Sequence, residues 1–129
     1  MAASLATKAN EVVVLDYSFP VSADLSAKQY CFVKMVSDGT VDVCSGITDV
    51  AFGVLQNTPT AGQVAQVRLY GISMVKTGMA LSAGTPVSPA GSATAVSAVA
   101  TSYVTGVMTC GTANSGEIGS ILVTNSGTL

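Results

Sequence analysis

The sequence predicts an all-β fold: a compact small barrel or sandwich built from two pseudo-repeated strand-turn-strand halves, preceded by a short N-terminal arm. Three observations predict it. Ala, Val, Gly, Ser and Thr supply most of the bulk, with 49% apolar and only 9% charged residues and no Trp, and such small and β-branched side chains suit pleated sheets and tight turns. From Glu11 onward, short apolar runs alternate with Gly, Ser, Asn, Asp and Pro clusters at all-β spacing. Finally, GVLQNTPTAGQVAQVRL (Gly53 to Leu69) is echoed by GVMTCGTANSGEIGSILV (Gly106 to Val123).

Residues 1–10 are polar and alanine-rich without a period, which predicts a flexible arm, with residues 11–129 forming one β domain that can bury its own core. In YCFVKMVSDGTVDVC the expected element is a hairpin whose loop is Ser37, Asp38 and a left-handed Gly39. That register sets Met35 against Val41, Val33 against Val43, and Lys34 against Asp42 on the other face; a two-residue loop would oppose Met35 to Asp42. Gly91 to Ala100 is alanine-rich, but its Ser, Thr and Val and the lack of a capped 3.6-residue stripe argue against a helix.

Sliding the chain by 53 residues aligns Gly53-Val54-Leu55 with Gly106-Val107-Met108, and one extra loop residue then brings Gly62 onto Gly116. Val64, Val67 and Leu69 meet Ile118, Ile121 and Val123, and upstream Leu25-Ser26-Ala27 resembles Leu81-Ser82-Ala83, so the copies run over about 25–71 and 81–124. If Ala65, Val67 and Leu69 point inward, Gln66 and Arg68 point outward; in the second copy Gly119, Ile121 and Val123 point inward, with Ser120 and Leu122 outside. An outward Leu122 where the first copy has Arg68 is a candidate partner contact. Gly39, Gly53, Gly62, Gly71, Gly106 and Gly116 fall where strands begin, end or turn, and are the backbone-critical glycines.

A formal charge of −2 with five scattered basic residues provides no field for phosphates, so no nucleic-acid partner is expected. After Lys76 the one remaining charge is Glu117, which suggests that part of this neutral half is covered by neighbours. Cys31, Cys44 and Cys110 match no zinc or redox spacing and are read as reduced core thiols. Val12 to Leu15 is too short for a signal-peptide core, no stretch is long enough to span a bilayer, and a reducing cytoplasm is the expected place of synthesis.

Little in the chain points to chemistry. The absence of His removes the commonest general base, the usual triads and most zinc sites. Asp38 and Asp42 belong to the hairpin, and Asp16, Asp24 and Asp49 sit beside turn-like polar residues; a glycosidase pair among them would have to meet in space. No phosphate-binding glycine loop, nucleophile elbow or calcium loop is present, and Cys110 in MTCGTA has no base beside it. Lys76, Pro86 and Pro89 read as solvent-side, edge-strand or turn residues. No catalytic residue, cofactor or metal is expected.

The stretches VAFGVLQNTPTAGQVAQVRLYGISMVKTG, LSAGTPVSP and VTGVMTCGTANSGEIGSILV resemble, in that order, the small capsid decoration (cement) proteins of tailed bacteriophages. The resemblance covers roughly Glu11 to Thr124, with Gly71 to Lys76, Ala83 to Val87 and Gly106 to Val123 in the family's places. It departs after Val87, where relatives often carry an aromatic and an acidic residue and this chain has Ser88-Pro89-Ala90. The resemblance implies a structural virion protein, a homotrimer on the capsid exterior that clamps neighbouring major capsid protein subunits. The arm, through Leu5 and Lys8, and Leu122 are the candidate contacts. The alternative is a small surface-exposed binding module, lectin- or adhesin-like, for which Tyr17, Tyr30, Tyr70, Tyr103 and three Phe are available. A carboxylate hydrolase is a third, remote reading.

Overall fold

The structure, a computed structural model, describes residues 9–128. Among them are nine strands and no helix: β1 (Val12–Pro20), β2 (Phe32–Ser37), β3 (Thr40–Val43), β4 (Gly53–Leu55), β5 (Val64–Lys76), β6 (Pro86–Pro89), β7 (Ala95–Ser97), β8 (Tyr103–Cys110) and β9 (Ile118–Thr128). They form one antiparallel sheet in the order β3-β2-β4-β5-β9-β8-β6-β7, curled into a half-barrel, with β1 added to β5. The all-β expectation holds, and the segment Gly91 to Ala100 contributes β7.

The three expected pairs of the hairpin hold, but the expected three-residue loop does not: Ser37 ends β2 and pairs with Thr40, so the loop is Asp38-Gly39, and a bulge between Met35 and Ser37 keeps the register. Val33 faces Val43, Lys34 faces Asp42 and Met35 faces Val41, with a bulge before Ser37 and Gly39 at φ 71°. Val33 and Val41 are buried. The ion pair goes elsewhere, because Lys34 Nζ reaches Asp49 Oδ2 at 2.9 Å while Asp42 Oδ1 accepts from the Val43 N–H.

The internal repeat is deeper in the backbone than in the side chains. Val33–Val43, Lys34–Asp42 and Met35–Val41 of the β2–β3 pair recur as Val87–Ser97, Ser88–Val96 and Pro89–Ala95 of the β6–β7 pair. Likewise Phe32–Val54 and Val33–Gly53 recur as Pro86–Val107 and Val87–Gly106. The two loops are closed alike: Gln63 Oε1 accepts from the Thr60 N–H at 2.8 Å, and Glu117 Oε1 accepts from the Asn114 N–H at 2.8 Å. Each loop turns through a left-handed glycine, Gly62 at φ 84° and Gly116 at φ 87°.

The repeat also includes β1. Tyr17, Phe19 and Pro20 pair with Val67, Ala65 and Val64; at the corresponding places Ser73, Val75 and Lys76 pair with Ile121, Gly119 and Ile118. Beyond this stretch, Val21 bridges Val41 and Thr77 bridges Ala95. The long strand β5 therefore serves twice: its first part ends the first copy, and its second part begins the second.

Two glycine assignments change. Gly71 lies inside β5, at φ 116°, and Gly106 inside β8, so neither marks a strand end. A Cβ on Gly53 would stand 2.5 Å from the Arg68 carbonyl oxygen, and one on Gly106 would stand 2.6 Å from that of Leu122. These two are required by close strand approach, at matching places of the two copies. Pro86 opens β6 and is exposed, but Pro89 is buried, and β6 is an inner strand between β7 and β8.

Two apolar clusters form the core. The first copy encloses Val21, Leu25, Val33, Val41, Leu55, Ala65 and Val67, with Phe19, Phe52 and Leu69 against them. The second cluster joins Val75, Leu81, Val87, Ala95, Met108, Ile121 and Val123 of the second copy to Cys31, Phe32, Cys44, Ala51 and Val54 of the first. The first copy thus covers the second, and within the described residues nothing covers the first in the same way.

Candidate functional site

Each carboxylate with a defined partner has a structural one. Asp49 accepts from the Ser45 N–H at 2.6 Å, from the Ser45 hydroxyl and from Lys34; these bonds, the backbone one first, hold its pKa below the usual value. Asp24 caps a turn through the Ser26 N–H, and Glu117 accepts from the Asn114 and Ala113 N–H groups, which lowers both acids. The expected turn role of Asp24 and Asp49 is what they perform.

Asp16 and Arg68 depart from expectation. Asp16 lies in β1 rather than beside a turn, and Arg68, expected to point outward, is 4% exposed, its guanidinium enclosed by Asp16 of the adjacent strand, by Glu11 and by the Ile72 carbonyl. Arg68 Nε and Nη2 donate to the two Asp16 oxygens at 2.8 and 3.0 Å, and Nη1 donates to Glu11 Oε2 and to the Ile72 carbonyl. The Asp16 bond is the main cause that raises the Arg68 pKa, with burial opposing it. Asp16 and Glu11 converge, but on a guanidinium that engages both, so the pair serves the fold.

No group of three His, Cys, Asp or Glu side chains able to hold a metal occurs among the described residues. Cys31 and Cys44 are buried, and burial pushes both thiols up, Cys44 to about 12, which makes them poor nucleophiles. A cavity of about 300 Å³ lies between the turn at Ser26 to Tyr30 and the second part of β5, where Lys76 is its one charged lining residue. It holds no nucleophile-and-base pair.

The most distinctive surface is apolar. Along β1, Val12, Val13, Val14, Leu15 and Tyr17 are exposed, Val14 by 70% and Tyr17 by 61%, as are Val64 and Tyr70 of β5; the register puts Tyr17 on the face of Ala65 and Val67, and Val64 on the other face. Four consecutive apolar residues are exposed together because β1 pairs with one strand only and its register slips twice, between Val13 and Leu15 and between Leu15 and Asp16. Tyr17, Phe19 and Phe52 form an edge-to-face aromatic row with centroids 5.3 and 5.2 Å apart. Clustered exposed apolar side chains of this kind are candidates for an interaction surface. Sequence reasoning passed over this strip, although the run Val12 to Leu15 lacks the apolar-polar alternation that Leu15 to Phe19 shows.

Leu122 stands on the outer side of β9 as expected, 44% exposed, opposite Ile72 and Val107. The other two candidate contacts, Leu5 and Lys8, lie outside the described residues. The backbone-critical glycines are placed above; they position strands and touch no site.

No family model and no curated protein matches the chain. Among solved structures, the fold is similar to the head fiber gp8.5 N base in bacteriophage phi29, with a TM-score of 0.67 and 16% identity over 89% of this chain and 97% of that one. The likeness extends over almost the whole of both chains, and it is a likeness of fold.

Proposed function

We propose that the chain is a structural protein of a bacteriophage virion, attached to the exterior of the head, without enzymatic activity or cofactor. The observation that carries this reading is the whole-length fold likeness to a head fiber base. The order of glycine-led strands, similar to that of the capsid decoration family, supports the same location independently. In the finer reading the partner is the major capsid protein, whose subunit contacts the chain stabilises, and three copies act together as a homotrimer made in the host cytoplasm. Several small footprints linked in one assembly hold a shell more firmly than each alone, through effective concentration. The exposed strip on β1 and the neutral later half are surfaces suited to such contacts. The Leu5–Lys8 segment and Leu122 are proposed as shell contacts.

The test is sedimentation of purified chain with phage heads stripped of their exterior proteins. Saturable co-sedimentation and a raised bursting temperature are expected; a chain that ignores both intact and stripped heads overturns the reading. The exposure of Tyr17 and Tyr70 favours a second reading, a glycan-binding surface module, because exposed aromatic faces are what sugars stack on. Glycan-array binding at micromolar affinity, without head binding, would select it.

A further inference from the structure

We propose that a second copy of this chain seats its later half on the exposed face of β1, repeating between subunits the interface that joins the two halves within one. The inference deepens the self-association in the reading above, naming its surfaces.

The reasoning rests on matched positions. In the second copy, Ser73 and Val75 are fully buried, and Val75 shares a cluster with Cys31, Phe32, Cys44, Ala51 and Val54 of the first copy. The equivalents of Ser73 and Val75 in the first copy are Tyr17, which is 61% exposed, and half-buried Phe19. Their environment is therefore one repeat short of a cover.

The covering surface exists again at the other end of the chain. Cys31, Phe32, Cys44, Ala51 and Val54 correspond to Thr85, Pro86, Ala98, Val104 and Val107, on the same backbone frame. The Cys44 N–H donates to the Phe32 carbonyl at 3.0 Å, and the Ala98 N–H to the Pro86 carbonyl at 2.9 Å. The first set is wholly buried; in the second, Pro86 is exposed, Thr85, Ala98 and Val107 are half-buried, and Val104 is already buried. The second set and the Tyr17 and Phe19 side chains it would cover carry no charge, and the adjacent Asp16 is already paired with Arg68.

One link cannot recur. The Lys76 N–H donates to the Tyr30 carbonyl between the copies at 2.9 Å, and Pro20 in the equivalent place has no N–H, so side-chain packing alone holds that point. Such a contact is heterologous, and it forms a ring where its rotation closes. Three subunits would set six copies head to tail.

The test places a benzophenone side chain at position 17 of the full chain, mixes isotopically heavy and light protein, irradiates and maps the cross-links. Links between heavy and light chains into residues 85–107 are expected. Links confined to one chain, residues 1–8 included, or joining position 17 to β1 of the partner overturn the proposal, as does a wild-type chain whose solution mass is that of one 12.9 kDa subunit. A second variant, Tyr17→Asp, changes an exposed side chain. Its mass should fall to that of one chain with an unchanged circular dichroism spectrum; an assembly that survives it overturns the contact. A single chain that still binds heads removes this inference and leaves the head-binding reading, whereas an assembled chain that ignores heads does the reverse.

Discussion

Arg68 and Asp16 face each other across β5 and β1, joined by two hydrogen bonds of 2.8 and 3.0 Å, and the corresponding pair in the second copy is Leu122 and Ile72. One backbone frame thus carries an ion pair in one half and an apolar pair in the other. Arg68→Leu alone leaves Asp16, whose side chain is 14% exposed, without its cation, and should cost about 3 kcal/mol. The double change Arg68→Leu with Asp16→Ile imports the second copy's solution and should recover most of that loss. Urea unfolding midpoints of the three proteins measure both effects.

Gly53 and Gly106 should be intolerant to the same degree. An added Cβ would meet a carbonyl oxygen of the facing strand at 2.5 or 2.6 Å, so Gly53→Ala and Gly106→Ala should each cost about 2–3 kcal/mol. Gly62→Ala and Gly116→Ala meet no atom but keep a positive φ, and should cost about 1 kcal/mol. Thermal midpoints should rank the variants in that order.

Much of this was legible in advance. Hairpin register followed from Asp38-Gly39 and the facing valines, and the copies from Gly53 and Gly106, because turn chemistry and close strand approach each restrict the residue type. The share of β1 in the repeat was not legible: LDYSFPV and GISMVKT have little in common, and strand pairing is made by the main chain, which leaves side chains free to diverge. For the same reason Arg68 read as outward and wet. Alternation along β5 gives the side of the sheet, and it carries no information on the Asp16 that the adjacent strand β1 brings beside Arg68.

Both acid and base should weaken the fold. On the basic side the buried Cys31 and Cys44 thiols, raised from 9.0, contribute below that value and lose their contribution as pH rises above it. Asp49 and Glu117 have pKa values lowered from 3.8 and 4.5, so their contribution is present above those values and is lost as pH falls through the lower folded ones. Lys34, raised above 10.5 chiefly by its bond to Asp49, contributes below that value and loses its contribution as pH rises through the higher one. The thermal midpoint should be level from about pH 5 to 9 and decline below about pH 4. Asp49→Asn should shrink the acid decline; an unchanged acid limb would remove Asp49 from it.

The thiols should separate by burial. Cys31 and Cys44 sit in the core with raised pKa values, whereas Cys110 is half-buried. Native protein at pH 8 should show at most one thiol reacting with a disulfide reagent within minutes, and all three after unfolding.

The proposed function puts this β body on the outside of a phage shell, in contact with capsid subunits. Electron cryomicroscopy of heads assembled with and without the chain tests it most directly. Difference density that fits this half-barrel on the outer surface, where capsid subunits meet, is the expected result; identical bare exteriors, or density inside the shell, would contradict it.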